Sequence, residues 1–397
     1  MTVRHDRHLV AWLLAGVTFL IVYASLYPFR FAATDVQGLG DLLGRLPWAR
    51  TTRSDIAANV LLYLPFGACL GWLLASRLGG PLALAGATVA GVLLSTGIEV
   101  AQIFETRRVA SLADVTYNGL GTLAGAALAL AMRSARHGFS RHPLGRLLAH
   151  PIPAALLLLW LGYRLAPFAL TLDPAQWLAA LAPFGQPVPR WASPLAVLGY
   201  LAGWLVAARA LAELYPRQNP ALVLGIAMAT VLAGNIMVSG RALDPNELPA
   251  MVAALLLSQP LSRMRPRAGA AAIAVLLASW VLLAGLVPFD FRLDPDAFGL
   301  VPFRDALTRY RSTNLVDMFH KCFAYGALVW LLARAGLRVL AATLATVGLL
   351  LVIELLQAWL PGKAADITDP LLALVAGGLI AVFDPAPDRG GGPTLRF

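Results

Sequence analysis

Charged residues are scarce in this sequence. Only 13% of its 397 residues are charged and 59% are hydrophobic, whereas a soluble domain has about 25% charged residues. The two cysteines, Cys69 and Cys322, both lie inside apolar segments, which excludes a disulfide framework. The sequence also lacks a His/Cys set with zinc-ligand spacing, a Gly-rich phosphate loop, a G-x-S-x-G elbow and an H-E-x-x-H motif. These absences predict a polytopic membrane protein with no metal centre and no cofactor.

Apolar runs long enough to cross about 30 Å of hydrocarbon recur along the chain. Twelve spans are predicted, near residues 9–27, 55–76, 81–104, 112–132, 151–168, 192–213, 219–239, 246–261, 268–288, 314–334, 338–360 and 367–383. Arg4 and Arg7 precede the first run without a small-residue cleavage site, which favours a permanent helix over a signal peptide. The predicted fold class is therefore all-α.

In the topology given by these twelve spans, most arginines lie on one side of the membrane. With both termini inside, the cytoplasmic segments contain sixteen arginines against four acidic residues. Because Lys and Arg gather on the cytoplasmic side of membrane proteins, the pattern predicts an inner-membrane protein with cytoplasmic N- and C-termini. This topology also accounts for the net charge of +10 without any binding of nucleic acid.

The dipeptide Pro-Phe closes the first, fifth and ninth runs, at Pro28-Phe29, Pro167-Phe168 and Pro288-Phe289. Proline ends a helix, so its return after every fourth run predicts three four-helix repeats. Their expected boundaries are residues 1–133, 150–262 and 267–384. An even number of spans per repeat would give successive repeats the same orientation in the membrane.

A glutamate near the end of an apolar helix occurs twice, with matching residues after it. The matched residues are Glu99 with Glu354, Gln102 with Gln357, Arg108 with Lys363, and Asp114 with Asp369. An ionisable group within a span is costly unless it is paired or hydrated, so these glutamates are functional candidates.

The middle repeat is predicted to be degenerate. Asn235 is taken to stand at the position of the glutamate, with the acidic residues displaced to Asp244 and Glu247.

The residues of the first repeat carry a family resemblance. The pattern consists of Asp55, Asn59, Pro65-Phe66-Gly67, Glu99, Gln102, Arg108, Asp114, Asn118 and Gly121. It resembles the VanZ-like family over roughly residues 20–132 and, less closely, over roughly residues 280–382. The resemblance implies a small multi-pass membrane unit in a family named from a protein linked to resistance to the glycopeptide teicoplanin. The third repeat departs from the pattern at Ala373, which replaces the asparagine of Asn118, so we expect the first repeat to carry the main site.

Helical spacing places Asp55 with Asn59, and Asp114 with Asn118, on common helix faces. Asp55, Glu99 and Asp114 are predicted to lie at one depth near the outer leaflet, which together with the two asparagines indicates an outward-facing polar pocket. The predicted ligand-binding residues are Asp55, Asn59, Glu99, Gln102, Arg107, Arg108, Asp114 and Asn118. The second candidate site consists of Asp317, Lys321, Glu354, Gln357, Lys363, Asp366 and Asp369.

The predicted function is the binding of a lipid-linked or cell-wall-related ligand of the envelope, with membrane lipids or lipid-linked intermediates as partners. One alternative is an intramembrane enzyme acting on a lipid headgroup or lipid-linked sugar, with Glu99 as the acid or base, Asp114 and Asp55 orienting it, and Arg107 or Arg108 holding a phosphate. A transporter or flippase is another alternative. A structural role is also open, in which Asp55 and Asp114 only cap helices.

Overall fold

A computed structural model describes residues 2–33, 38–44, 46–48, 51, 53–106, 108–135, 143–166, 168–185, 193–303 and 313–384. Within these residues, long helices lie at all twelve predicted positions. They are α1 (Thr2–Leu26), α2 (Arg53–Leu78), α3 (Gly80–Gln102), α4 (Leu112–Ala135), α5 (Pro151–Leu165), α6 (Pro194–Leu214), α7 (Pro220–Met237), α8 (Glu247–Arg263), α9 (Pro266–Leu286), α10 (Thr313–Arg334), α11 (Val339–Gln357) and α12 (Thr368–Phe383). The prediction of an all-α polytopic membrane protein is confirmed.

The helices differ in length and hydropathy. In the described part of the chain, nine are long and apolar enough to cross a membrane, whereas α5 and α12 are apolar but shorter. Helix α5 ends at Leu165, two residues before Pro167, because proline disfavours a helical conformation in the residue before it. Helix α8 has only 17 residues and contains Pro260, so it is also shorter than the nine described helices that could cross a membrane.

Short helices that the hydropathy pattern did not predict lie in the connections. They are Leu39–Gly44, Pro143–Ala149, Pro174–Leu181 and a 3-10 turn at Ala182–Gly185. Proline is the first residue of two of these helices, where its missing N–H would be unsatisfied in any case.

The twelve helices form three groups of four, which we name the first group (α1–α4), the second group (α5–α8) and the third group (α9–α12). The same five helix pairs pack in each described group: first with second, first with third, second with third, second with fourth, and third with fourth. The third group also packs against both of the others, through α12 on α1, α10 on α5, and α9 on α6. The buried tryptophans Trp160, Trp204 and Trp330 lie in one core cluster to which all three groups contribute, the first through Cys69 and Met132.

The first helix of each group ends in the same way. Phe29, Phe168 and Phe289 have φ values of 61°, 61° and 63°, and each donates its N–H to a carbonyl three residues earlier at 2.8 to 2.9 Å. The three ends lie on one side of the molecule, which we name the Pro-Phe end. Across the groups, Tyr23 donates a hydrogen bond from its hydroxyl to Pro302 O at 3.2 Å on this side.

The opposite side, which we name the arginine end, is joined by ion pairs. Arg334 at the end of α10 binds Glu213 of α6 at 2.9 Å and Asp384 beyond α12 at 2.6 Å. Its guanidinium also lies 5.5 Å from the ring centre of Trp330. This network fixes the second and third groups to each other at the end where the sequence concentrates its arginines.

Helices α2 and α4 approach each other closely because glycine lies at their contact. A Cβ added to Gly125 would lie 2.0 Å from Leu64 O, and one added to Gly67 would lie 2.0 Å from Thr122 O. Any side chain at either position would force the two backbones apart. This close packing holds the polar residues of α2 and α4 within bonding distance of each other.

Candidate functional site

A cavity of about 670 Å³ lies in the third group at the Pro-Phe end. All seven residues of the second predicted site contribute to its wall: Asp317, Lys321, Glu354, Gln357, Lys363, Asp366 and Asp369. Helix α10 supplies the first two, α11 the next two, and the connection to α12 and its first turn supply the rest. The structure therefore brings all seven residues together around one cavity, whereas sequence reasoning ranked this candidate site second.

Asp369 is the best-bonded acid of the cavity. Lys321 Nζ lies 2.7 Å from its Oδ1, and the Tyr325 hydroxyl donates to its Oδ2. Lys321 Nζ also lies 3.9 Å from Asp317, whose side chain is 62% exposed at the mouth. Because both oxygens of Asp369 accept from side chains of α10, this aspartate joins two helices and is more than a helix cap.

Glu354 is held by the backbone of the connection that follows its helix. Its Oε2 accepts from Asp366 N at 2.8 Å, while Gln357 Nε2 donates to Gly285 O at 3.0 Å and ties α11 to α9. Asp366 accepts from Thr368 N at 2.7 Å through Oδ1, so this aspartate, and not Asp369, bonds to a backbone N–H in the first turn of α12.

The lysine content of the chain is a signal that sequence reasoning overlooked. Among 31 basic side chains only two are lysines, Lys321 and Lys363, and both line this cavity. Lysine carries a compact charge on a flexible stem, whereas arginine is a rigid fork. Its confinement to one cavity in an arginine-rich chain marks that cavity as chemically distinct.

The rest of the cavity wall is apolar or aromatic. Trp280 and Val281 of α9 face Leu350 and Ile353 of α11 across it. Charged residues therefore occupy the part near the connections, and hydrocarbon side chains occupy the part that extends toward the middle of the helices. Such a wall suits an amphiphilic ligand better than a free ion.

The polar residues of the first group form a second cluster. Glu99, only 2% exposed, accepts from Ser111 N at 2.7 Å through Oε2, and Asn59 Nδ2 donates to Asp114 Oδ1 at 2.8 Å. Asp55 lies close enough to Asp114 for their charges to interact. The structure thus brings these predicted residues together at the ends of α2, α3 and α4.

Two predicted ligand-binding residues of this cluster have structural bonds. Gln102 Nε2 donates to Ser25 O at 2.9 Å. Arg108 donates from Nε to Tyr27 O at 3.1 Å and from Nη2 to Ala24 O at 2.9 Å, which satisfies carbonyls that the end of α1 leaves without an intrahelical partner. A phosphate-holding role for Arg108 is therefore disfavoured, and Arg107 lies outside the described residues.

Asn118 lies one helical turn deeper than Asp114. It is buried, and its Nδ2 donates to Ser95 Oγ at 2.9 Å. Tyr63 lies beside Ser95 and Glu99. Sequence reasoning missed Tyr63 and Ser95, although each lies one helical turn from a residue that it identified.

The second group corrects the placement of Asn235. Arg241 bonds to Ala166 O and Tyr163 O at 2.7 and 2.8 Å, as Arg108 bonds to the end of α1. Nine residues before Arg108 lies Glu99, whereas nine residues before Arg241 lies Leu232. Asn235 thus corresponds to Gln102, and the second group has an aliphatic residue where the others have glutamate.

The acid of the second group is paired internally. Glu247 forms an ion pair with Arg164 and accepts from Trp204 Nε1 at 3.0 Å. A cavity of about 170 Å³ adjoins this pair, between the second and third groups, with Tyr163, Tyr200 and Trp280 in its wall. The buried arginine and the aromatic wall distinguish it from the acid-lined cavity of the third group.

Comparison with known proteins identifies one segment. The family model VanZ/LLP1 matches residues 10–133, which correspond to the first group. No curated protein and no solved structure matches the chain.

Proposed function

We propose, from the VanZ-like character of residues 10–133 and the cavity of the third group, that this membrane protein binds a lipid-linked or cell-wall-related amphiphile of the cell envelope. The observation that carries the proposal is that four carboxylates and the only two lysines of the chain line one cavity. Lys321 and Asp369 balance each other, but the remaining charges would be costly at a helix end in a membrane without a ligand or solvent to balance them.

The chemistry of the wall indicates the kind of ligand. Small-molecule sites usually enclose about 300–1,000 Å³, and the cavity of about 670 Å³ falls within that range. A polar headgroup would meet Lys363 and Asp317 near the mouth, and the start of its hydrocarbon part would meet Val281 and Leu350. The remainder of a long chain would lie outside the cavity, among the membrane lipids.

The orientation of the site follows from a second proposal, that the three groups are copies of one four-helix unit. The recurring helix pairs support it, and so do the matching bonds of Arg108 and Arg241. Copies with an even number of helices share one orientation. With the arginine end in the cytoplasm, the cavity opens to the outer side of the inner membrane.

Acylation of the two lysines provides a direct test. A membrane-impermeant N-hydroxysuccinimide reagent applied to spheroplasts should label Lys363 and Lys321, because no other side-chain amine exists in the chain. In purified protein in detergent, an envelope amphiphile such as undecaprenyl phosphate should slow this labelling, as read by mass spectrometry of the peptides. Lys363→Arg is the matched control, since it keeps the charge and removes the amine.

Two outcomes would contradict the proposal. Labelling of Lys363 from the cytoplasmic side alone would overturn the orientation. Labelling that no extracted envelope lipid or lipid-linked intermediate slows would overturn the binding function. By the family resemblance, glycopeptide susceptibility of a strain lacking the protein is the phenotype in which to compare Glu354→Gln with Glu99→Gln.

A further inference from the structure

The first group contains an inner layer of polar side chains, of which the third group keeps only a tyrosine, Tyr325. Tyr63 on α2, Ser95 on α3 and Asn118 on α4 each lie one helical turn deeper than Asn59, Glu99 and Asp114, respectively. Tyr63 and Ser95 are each 0% exposed. The three side chains thus meet in the middle of three packed helices, next to a buried glutamate.

Two oxygen atoms of this inner layer are unsatisfied. Asn118 Oδ1 has no hydrogen-bond partner among the described residues, while the Nδ2 of the same side chain donates to Ser95 Oγ. The Tyr63 hydroxyl lies near Ser95 but forms no hydrogen bond of good geometry with it or with another described residue. A buried polar atom without a partner costs free energy. Asn118 Oδ1 can only accept, so a hydrogen-bond donor or a cation is needed to satisfy it.

The third group shows how the same position is balanced when a cation is built in. Lys321 stands where the first group has Asn59, since both donate to the acid of the fourth helix. The positions of Ser95 and Asn118, counted from the glutamate and that acid, are held by Leu350 and Ala373. The tyrosine of this layer is kept as Tyr325, but its hydroxyl donates to Asp369. The third group thus combines an ammonium with an inner layer that has lost the serine and the asparagine, whereas the first combines a neutral amide with all three polar side chains.

We infer that the inner layer of the first group binds one small monovalent cation, with sodium as the fitting ion. Its ligands are Tyr63 Oη, Ser95 Oγ, Asn118 Oδ1 and the carboxylate of Glu99. Hard cations take oxygen ligands of this kind, and the ion supplies beside Glu99 the positive charge that Lys321 supplies beside Glu354.

Thermal unfolding of the full chain in detergent tests this site, with sodium, potassium and choline chlorides compared at equal ionic strength. A ligand that binds the folded state raises the unfolding temperature. At a sodium concentration of roughly 100 times the Kd, the unfolding temperature should be about 5 °C higher than in choline chloride. The effect should saturate as the sodium concentration rises. The paired substitution Ser95→Ala and Asn118→Ala removes two of the proposed ligands without adding volume to the closely packed first group, and it should abolish the rise in unfolding temperature.

Ser258→Ala is the matched control, because it removes another buried serine hydroxyl, in α8, and should leave the sodium effect intact. Equal unfolding temperatures in sodium and choline for the unaltered chain would show that the layer holds only water, and would overturn the inference. So would a sodium effect that survives the paired substitution. If that variant does not fold, binding of radioactive sodium to the unaltered chain decides the matter, with about one ion per chain expected and none contradicting the inference.

Discussion

The first and third groups hold a buried glutamate in the same way and differ in what surrounds it. Glu99 and Glu354 each accept from a backbone N–H twelve residues later, at 2.7 and 2.8 Å. Gln102 and Gln357 each donate to the end of the first helix of their group, at 2.9 and 3.0 Å. The scaffold of the site is therefore common to both, and the chemistry depends on the neighbouring side chains.

The two groups also differ in how closely their helices can pack. Gly125 in the first group allows contact with the backbone of α2, whereas the third group has Ile380 at the matching distance after its aspartate. A branched side chain at that position cannot permit so close an approach. The difference teaches that one scaffold can close around a small polar core or open into a cavity, according to the size of a few residues.

Breaking the ion pair between Lys321 and Asp369 in the third group should have the largest effect. Lys321→Leu removes the charge partner of Asp369, whose side chain is only 11% exposed, and an acid left uncompensated at such burial costs about 3 kcal/mol. Lys321→Asn should cost less, because Asn59 and Asp114 show that an amide can bind this acid. The unfolding temperatures of the two variants in detergent measure the difference. An equal fall in unfolding temperature for both variants would show that the Asn59–Asp114 bond of the first group does not predict what an amide does in the third group.

Disrupting the close contact between α2 and α4 at Gly125 should have the next largest effect. Gly125→Ala places a Cβ 2.0 Å from Leu64 O, so α2 and α4 must separate, at a cost of about 2 kcal/mol. Gly97→Ala is the control, since its Cβ would meet nothing within 4 Å. The same unfolding assay compares them. If Gly125→Ala is as stable as the control, close packing is not what distinguishes the first group.

Sequence reasoning recovered the helices and the acidic residues because both leave strong local signals. Hydropathy located α1 to α12, and the spacing of Glu354 and Asp369 predicted their shared site. The sequence patterns did not predict the inner layer, because Tyr63 and Ser95 lie within apolar runs and a single hydroxyl changes the hydropathy of such a run little. Asn235 was misplaced because it was matched as the polar residue of its helix, whereas the register depends on the backbone carbonyls that Arg241 binds. The cavity itself depends on packing between distant helices, which no local pattern encodes.

The smallest expected effect concerns the basic residue nine positions after each glutamate, which is Arg108 in the first group and Lys363 in the third. Arg108 is committed to carbonyls of α1, so Arg108→Gln should lower stability by about 1.5 kcal/mol and leave binding of the amphiphile unchanged.

Lys363 lines the cavity, so Lys363→Gln should do the reverse: it should weaken binding about 5- to 10-fold through the loss of one charge-assisted contact without lowering the unfolding temperature. Affinity from protection of Lys321 against acylation, measured beside thermal unfolding, separates the two results. Arg292→Gln is the control, because that arginine is exposed at the same end and pairs with Asp296 outside the cavity. Weakened binding in Arg108→Gln with unchanged binding in Lys363→Gln would move the ligand to the first group, where the family match lies, and would assign the lysines of the third group to its structure.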